Sequence, residues 1–282
     1  MHDRDGVRQL QLAHAEHIEA TYQELASRPG NPAGIEFARV GNTSVYLRNE
    51  SRLENRAILT GNESEQDLRA IIKLFQKKGV DGFLEVNPGN FYPSDPFSWD
   101  SRILPILLKL GYPPTGFRCV WSASGTECLA AECDLPEVRS YTSGDAEEYA
   151  ELRLMVEPPK PENLETRREG LVLAFTDQWR HYVGFDGDEP VSTSSLFMGR
   201  ELSYLSWGFT KVTHRRKGHH RAHVIRRATD AFAHGANGAF SVTDFGIPSS
   251  LSLQKCGFTL AYNYLMIDVE ADCDDTACSR IT

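Results

Sequence analysis

Apolar residues recur at three- and four-residue intervals from the start of the chain. Val7, Leu10, Leu12, Ala15, Ile18, Tyr22 and Leu25 approximate one face, which predicts an amphipathic helix over 7–26. The run from Arg28 to Gly34, with two glycines and two prolines, breaks that rhythm. Residues 35–49 then read as a hairpin about Gly41-Asn42. Ser64 with Asp67 three positions on predicts a capped helix running to Lys78. A strand at 82–88, a polar and aromatic loop through Asp100, a short helix interrupted by Pro105 and a strand at 115–124 complete this stretch.

The pattern restarts near Cys133. A strand at Val138–Tyr141 leads to a helix over 145–155, with Ser143 as its expected cap. A proline-rich loop and a helical stretch from Leu164 to Thr176 follow. Three strands, 179–188, 190–199 and 201–212, are separated by turns at Asp186-Gly187-Asp188 and at Gly199. Helix 220–234, strand 239–245, short helix 249–257 and strand 258–269 lead to a polar tail. Strands alternating with helices predict α/β layers with some parallel pairing. The restart places a domain boundary near residue 134, giving domains 1–134 and 135–282.

Composition narrows the class. The 282 residues are 40% hydrophobic and 24% charged, enough apolar content for full globular cores. No apolar run approaches the length of a membrane span, and the polar start leads into no signal-like segment, so a cytoplasmic protein is expected. The six cysteines form no C-x-x-C pair and read as thiols in a reducing compartment, although Cys128/Cys133 and Cys273/Cys278 leave a zinc site conceivable.

A net charge of -9 makes one segment anomalous. Between His214 and Arg227 stand five arginines, one lysine and four histidines without a carboxylate. An acidic chain argues against non-specific coating of nucleic acid, which needs many cationic contacts to phosphates. His219 and His223 have metal-ligand spacing on a helix, yet arginines surround them and no carboxylate supports them, so no metal is expected. The segment joins an apolar strand to a helix. A glycine at such a turn lets backbone approach a ligand, and the free N–H groups of the helix favour an anion. Flanking arginines add charge-assisted bonds to phosphate oxygens. The expected ligand is a small polyphosphate.

At these residues the chain resembles the GNAT superfamily of acyl-CoA-dependent N-acyltransferases. Arg215 and Gly218 meet its turn signature, Ala231 and Gly235 the element closing the helix, and Gly257-Phe258 the end of a later short helix. The resemblance covers about residues 137–270, and residues 36–121 resemble, more faintly, the degenerate first half of tandem GNAT proteins. It implies two GNAT-like mixed-sheet α/β domains in tandem, with helices on both faces of each sheet. It also implies an acyltransferase whose cosubstrate is acetyl-CoA or another acyl-CoA, with no metal.

Carried over, Phe209, Thr210, Lys211 and Val212 would pair with the pantetheine arm through their backbone. Arg215, Arg216, Lys217, Gly218, His219, His220 and Arg221 would surround the pyrophosphate. Ser249 or Ser250 could contact the amide or thioester region, and attack would occur where the central strand parts from Ser241–Phe245. Two departures matter: His220 replaces the second glycine of the motif, and Leu253 replaces a tyrosine that many members use as general acid. Tyr262 or Tyr264 is a substitute acid, with water as the alternative. Glu201 and Asp244 are candidate bases, read otherwise as a turn residue and a strand-end cap. The acceptor is expected to be a small-molecule or peptide amine, with the N-terminal half on the acceptor side. Arg221, Arg226 and Arg227 exceed one pyrophosphate, which keeps open a tRNA- or carrier-protein-bound donor. The missing tyrosine keeps open a non-catalytic module. Oligomeric state is not readable.

Overall fold

The computed structural model describes residues 4–31, 34–48, 55–59, 61–87, 102–125, 135–160, 164, 168, 171 and 176–271. The loop through Asp100, most of Leu164–Thr176, the tail beyond 271, and Cys128, Cys133, Cys273 and Cys278 lie outside the described residues. The remaining two cysteines, Cys119 and Cys256, are buried free thiols. Among the described residues no helix is long and apolar enough to cross a membrane.

The chain forms two compact units, one of residues 1–18 with 120–261 and one of residues 19–119 with 262–282. This differs from a single break near residue 134. The reason is that the ends of the chain complete sheets and cores begun elsewhere in sequence.

In the second of these units, helix α1 (Arg4–Ser27) contributes its last residues, and strands β1 (Glu36–Val40) and β2 (Thr43–Leu47) form the expected hairpin. Gly41 turns it at a φ of 58°. Strand β3 (Arg56–Leu59), too short for its period to be legible, runs parallel to β4 (Gly82–Val86). Between them lies α2 (Glu65–Lys78). Helix α3 (Ile103–Lys109) tolerates Pro105 because its first turn has no intrahelical partners for the N–H groups. Residues 265–269 of the last strand, β11 (Thr259–Val269), pair antiparallel with β4. Leu68, Ile71, Ile72 and Phe75 give α2 its buried stripe against Val45, Leu84, Ile103 and Ile267. Tyr22 of α1 meets Phe37 and Tyr46, whose side chains alternate with that core, so helices cover both faces.

Gly82 fixes how closely α2 approaches this sheet. A Cβ there would lie 2.4 Å from the Phe75 ring and 2.7 Å from the Asn55 carbonyl. Gly82→Ala is therefore expected to destabilise by about 1–3 kcal/mol, the usual cost of overpacking, read as a lowered midpoint in chemical denaturation.

In the other unit the strand order is β10-β9-β8-β7-β6. Strands β6 (Val138–Tyr141), β7 (Trp179–Asp186), β8 (Glu189–Phe197) and β9 (Leu202–Thr210) are successively antiparallel, and β10 (Gly238–Thr243) is parallel to β9. Residues 120–123 of β5 (Gly116–Ala123) lie beside β10. Helix α4 (Ala146–Val156) packs Tyr149 on one face with Val183 and Phe185. Its entry is a 3-10 turn whose capping box joins Thr142 to Asp145, so the cap expected at Ser143 sits one residue earlier. Helix α5 (His219–Ala233) covers the opposite face, and α6 (Pro248–Lys255) precedes β11. Near the chain start, His14 and His17 pack on Tyr204 and Phe240.

Candidate functional site

The β9–β10 ladder stops early. Gly238, Ala239 and Phe240 pair with Leu202, Ser203 and Tyr204, and there the parallel register ends. Just past this point Ser241 Oγ donates to the Leu205 carbonyl at 2.8 Å. Farther along, Thr243 accepts from the Trp121 indole on β5 at 2.9 Å. Meanwhile β9 stays on β8 through Thr210. One edge of residues 207–210 is thus left without a strand from β10.

A bulge lies at the mouth of this opening. Thr193 faces Phe209 and Ser195 faces Ser206, so Trp207 and Gly208 together oppose Ser194 alone. Trp207 takes a φ of 50°, a left-handed conformation that costs roughly 1–3 kcal/mol in a non-glycine residue. The residue is 51% exposed, and its indole stacks on Trp179 with centroids 5.0 Å apart and planes 7° apart.

Beyond β9 a 3-10 turn over Val212–His214 leads to Arg216, at a φ of 67°, and Gly218, at 90°. Gly218 is the N-cap of α5, and no side chain caps the helix. The first intrahelical bond runs from Ala222 N–H to the Gly218 carbonyl. Helix geometry therefore leaves the N–H groups of His219, His220 and Arg221 without intrahelical acceptors. A Cβ on Gly218 would meet Pro136 at an ordinary 3.6 Å, so the positive φ, not lack of space, demands glycine.

Arg215, Arg216 and Lys217 are exposed around this turn, and Arg221 is partly buried. Carboxylates from the β7–β8 turn balance part of the charge: Asp186 accepts from Lys217 at 3.0 Å and Glu189 from Lys211 at 2.8 Å. These lysines hold both carboxyls below the usual carboxylate range. Arg215 Nε donates to the Thr210 carbonyl at 3.3 Å, Phe209 and Thr210 remain registered with β8, Lys211 N–H donates to Val191, and Val212 is exposed.

The side chains of His219 and His223 are buried and that of His220 is partly buried. His220 turns under the turn, its ring 3.4 Å from where a Gly208 Cβ would stand. Burial lowers its pKa to about 4, so it is neutral and the glycine-to-histidine exchange is absorbed by a glycine on β9. His219 is buried and its pKa also lowered by desolvation. His223 is 1% exposed; its Nε2 bonds Ser192 Oγ at 2.9 Å and its Nδ1 bonds Ser194 Oγ at 2.7 Å. Both nitrogens being engaged, the i, i+4 spacing from His219 is a packing feature. Among the described residues no group of three His, Cys, Asp or Glu side chains is placed to hold a metal ion.

Two of the three surplus arginines are engaged within the fold. Arg226 bonds Asp230, the Val138 carbonyl and Ser140. Arg227 is buried and donates only to main-chain carbonyls.

The remaining candidates are scattered. Glu201 precedes β9, where its side chain accepts from the Asn237 amide. That is five residues before Ser206, roughly 17 Å along an extended strand, so the structure does not bring it to the bulge. Asp244 is exposed immediately past β10, on the far side of the opening from Trp207. Ser250 is buried with its hydroxyl on the Ile247 carbonyl, and Ser249 is half-buried beside it. Leu253 is 2% exposed, a core position. Tyr262 belongs to the other unit, where burial first and Glu85 second raise its phenol pKa, weakening it as an acid.

That other unit repeats the strand–turn–helix–parallel strand arrangement in β3, α2 and β4 with opposite chemistry. Ser64 caps α2 through a complete box with Asp67, and Glu65 fills the first turn. The helix start is occupied by its own side chains and is acidic, which repels an anion. What the sequence concealed is the hydroxyl row Ser192–Ser195 on β8, wholly buried and matched to His223, His181 and Arg153. Four successive hydroxyl residues in a strand were its only signal.

No protein-family model and no curated protein matches this sequence. Solved structures do. A GCN5-related N-acetyltransferase from Kribbella flavida superposes with a TM-score of 0.60 at 15% identity, over 90% of this chain and 95% of that one. A tandem GNAT protein from the clavulanic acid biosynthesis pathway superposes with a TM-score of 0.59 at 15% identity, over 97% of each chain. This is a tandem GNAT fold. A functionally unknown conserved protein from Staphylococcus epidermidis shares it, with a TM-score of 0.58 at 11% identity, over 87% of this chain and 99% of that one. Within the GNAT fold of this chain, the uncapped helix start and the bulged strand both fall in the unit that holds β6 to β10, and the capped, acidic helix start in the other.

Proposed function

We propose that the protein is an N-acyltransferase with one donor site, moving an acyl group, acetyl first among them, from coenzyme A to a primary amine of a small molecule or peptide. The observation that carries this reading is the left-handed Gly218 opening an uncapped, cation-ringed helix beside a parted pair of strands. In this reading the diphosphate accepts from the N–H groups of His219, His220 and Arg221, with Arg215, Arg216, Lys217 and Arg221 supplying charge. The pantetheine arm lies along Phe209–Val212, over the open edge that ends at Thr210 and on towards the turn. Its thioester then sits by the bulge, where an N–H released from the ladder polarises the carbonyl.

The amine nitrogen attacks the thioester carbon, forming the C–N bond. The tetrahedral species gives up its second N–H proton to water and collapses with cleavage of C–S, and coenzyme A leaves as a thiolate that takes a proton back from water. Asp244, exposed beyond β10, removes the ammonium proton through solvent. The reading places this chemistry in the cytoplasm. Because Arg226 and Arg227 are committed within the fold, free coenzyme A is favoured over a tRNA-borne donor.

Titration calorimetry with acetyl-CoA, coenzyme A and dephospho-coenzyme A tests this directly. One site per chain is expected, since the capped α2 offers no second seat. Absence of binding by all three removes the donor reading, and an amine panel read by thiol release then identifies the acceptor class.

A further inference from the structure

The bulge at Trp207 and Gly208 is gripped from both faces of the sheet. Trp179, which stacks on Trp207, projects on the α4 side together with His181, whose ring lies 4.8 Å from Tyr149. From the opposite face comes Arg227, in the interior of α5 and 3% exposed. One of its guanidinium nitrogens, Nη1, donates to the Ser206 carbonyl at 2.8 Å and to the Ser195 carbonyl at 3.0 Å. Those two residues are the registered pair that closes the bulge on β9 and β8. Nε donates to the His223 carbonyl at 3.0 Å, which aims the guanidinium by tying it to its own helix. A buried arginine spent wholly on main-chain carbonyls is uncommon, because a charge removed from water must recover its solvation from partners. Here those partners are the two carbonyls of the pair that borders the bulge and one carbonyl of its own helix.

We propose that Arg227 is a positioning residue for acyl transfer: it bridges the two strands at the Ser195–Ser206 pair and so fixes the bulge N–H that polarises the thioester carbonyl. The inference rests on the donor reading above. It separates two roles within one basic segment. Residues 215–221 hold the diphosphate, whereas Arg227, six residues on, never meets the ligand and acts through backbone.

The test uses acetyl-CoA labelled with carbon-13 at the thioester carbonyl, bound to the full chain and followed by carbonyl NMR shift or isotope-edited infrared stretch. Wild type is expected to shift the carbonyl from its free position. Arg227→Met, matched in length and apolar, is expected to bind coenzyme A within a few-fold of wild type while losing most of that shift. Arg227→Lys, which keeps a donor, is expected to regain part of it. A folded Arg227→Met variant that binds coenzyme A and retains the full shift overturns the inference. Should the methionine variant not fold, Arg227→Gln is read in its place by the same criterion. Wild type that binds coenzyme A without any carbonyl shift overturns this inference and leaves the donor reading standing. Wild type that binds no coenzyme A overturns both.

Discussion

Gly218→Val is expected to weaken coenzyme A binding about tenfold or more while leaving the protein folded. The native φ of 90° is open to glycine and costs an L-residue roughly 1–2 kcal/mol, more with a β-branched side chain. The surrounding space does not forbid a Cβ, whose nearest neighbour would be Pro136 at 3.6 Å. The exposed turn is therefore free to relax toward negative φ. Relaxing rotates the N–H groups of His219, His220 and Arg221 away from their common focus, and a diphosphate cradle depends on that convergence. With about 1.4 kcal/mol per tenfold change in affinity, the backbone cost alone accounts for the effect. Calorimetry against coenzyme A measures it, with thermal unfolding as the control for folding. Gly218→Ala should lie between. Unaltered affinity in the valine variant would mean that the turn does not hold the diphosphate.

The second large effect is on stability and its pH dependence. His223 is buried and neutral, with burial holding its pKa well below the ordinary histidine value of 6.5. The unfolded chain takes up a proton there below about pH 6.5, whereas the folded chain does not. Stability from this site is thus fully present above pH 6.5 and is lost as the pH falls, by about 1.4 kcal/mol per unit. His220, at about 4, adds a loss of the same sign between 6.5 and 4.

His223→Leu removes one titration but strands the buried hydroxyls of Ser192 and Ser194. Each orphaned hydroxyl costs about 1–3 kcal/mol. The variant is expected to be about 2–4 kcal/mol less stable at pH 8, with a shallower loss of stability into acid. Converting Ser192 and Ser194 to alanine in the same chain should recover part of the loss. Denaturant unfolding at a series of pH values reads both quantities. An acid limb as steep as wild type would contradict the neutral-histidine reading.

The same residues show where sequence stops being sufficient. His219 and His223 look alike on paper, four positions apart on a helix start. What separates them is the hydroxyl row of β8, about thirty residues earlier, which no local pattern connects to α5. Arg227 reads as one more cation in a basic run until β8 and β9 present their carbonyls to it. Glu201 offers a carboxylate beside the central strand, but the direction of β9 carries it to the end away from the opening. Strand β3 has too few residues to reveal a period. By contrast Gly218, the Ser64–Asp67 box and the Gly41 turn were legible, since each is a demand of the local backbone on residue type.

Local backbone physics thus determined the alternation of helices and strands, their caps and turns, and the one glycine-bent basic loop, because those depend on neighbours within a few positions. Which terminal segments complete which unit, where β9 and β10 part, and which basic side chains remain free for a ligand were decided only by tertiary structure. Burial and strand register are properties of groups distant in sequence, and they divide a run of similar basic residues into four cations around the turn, a neutral wedge at His220 and an internal strut at Arg227.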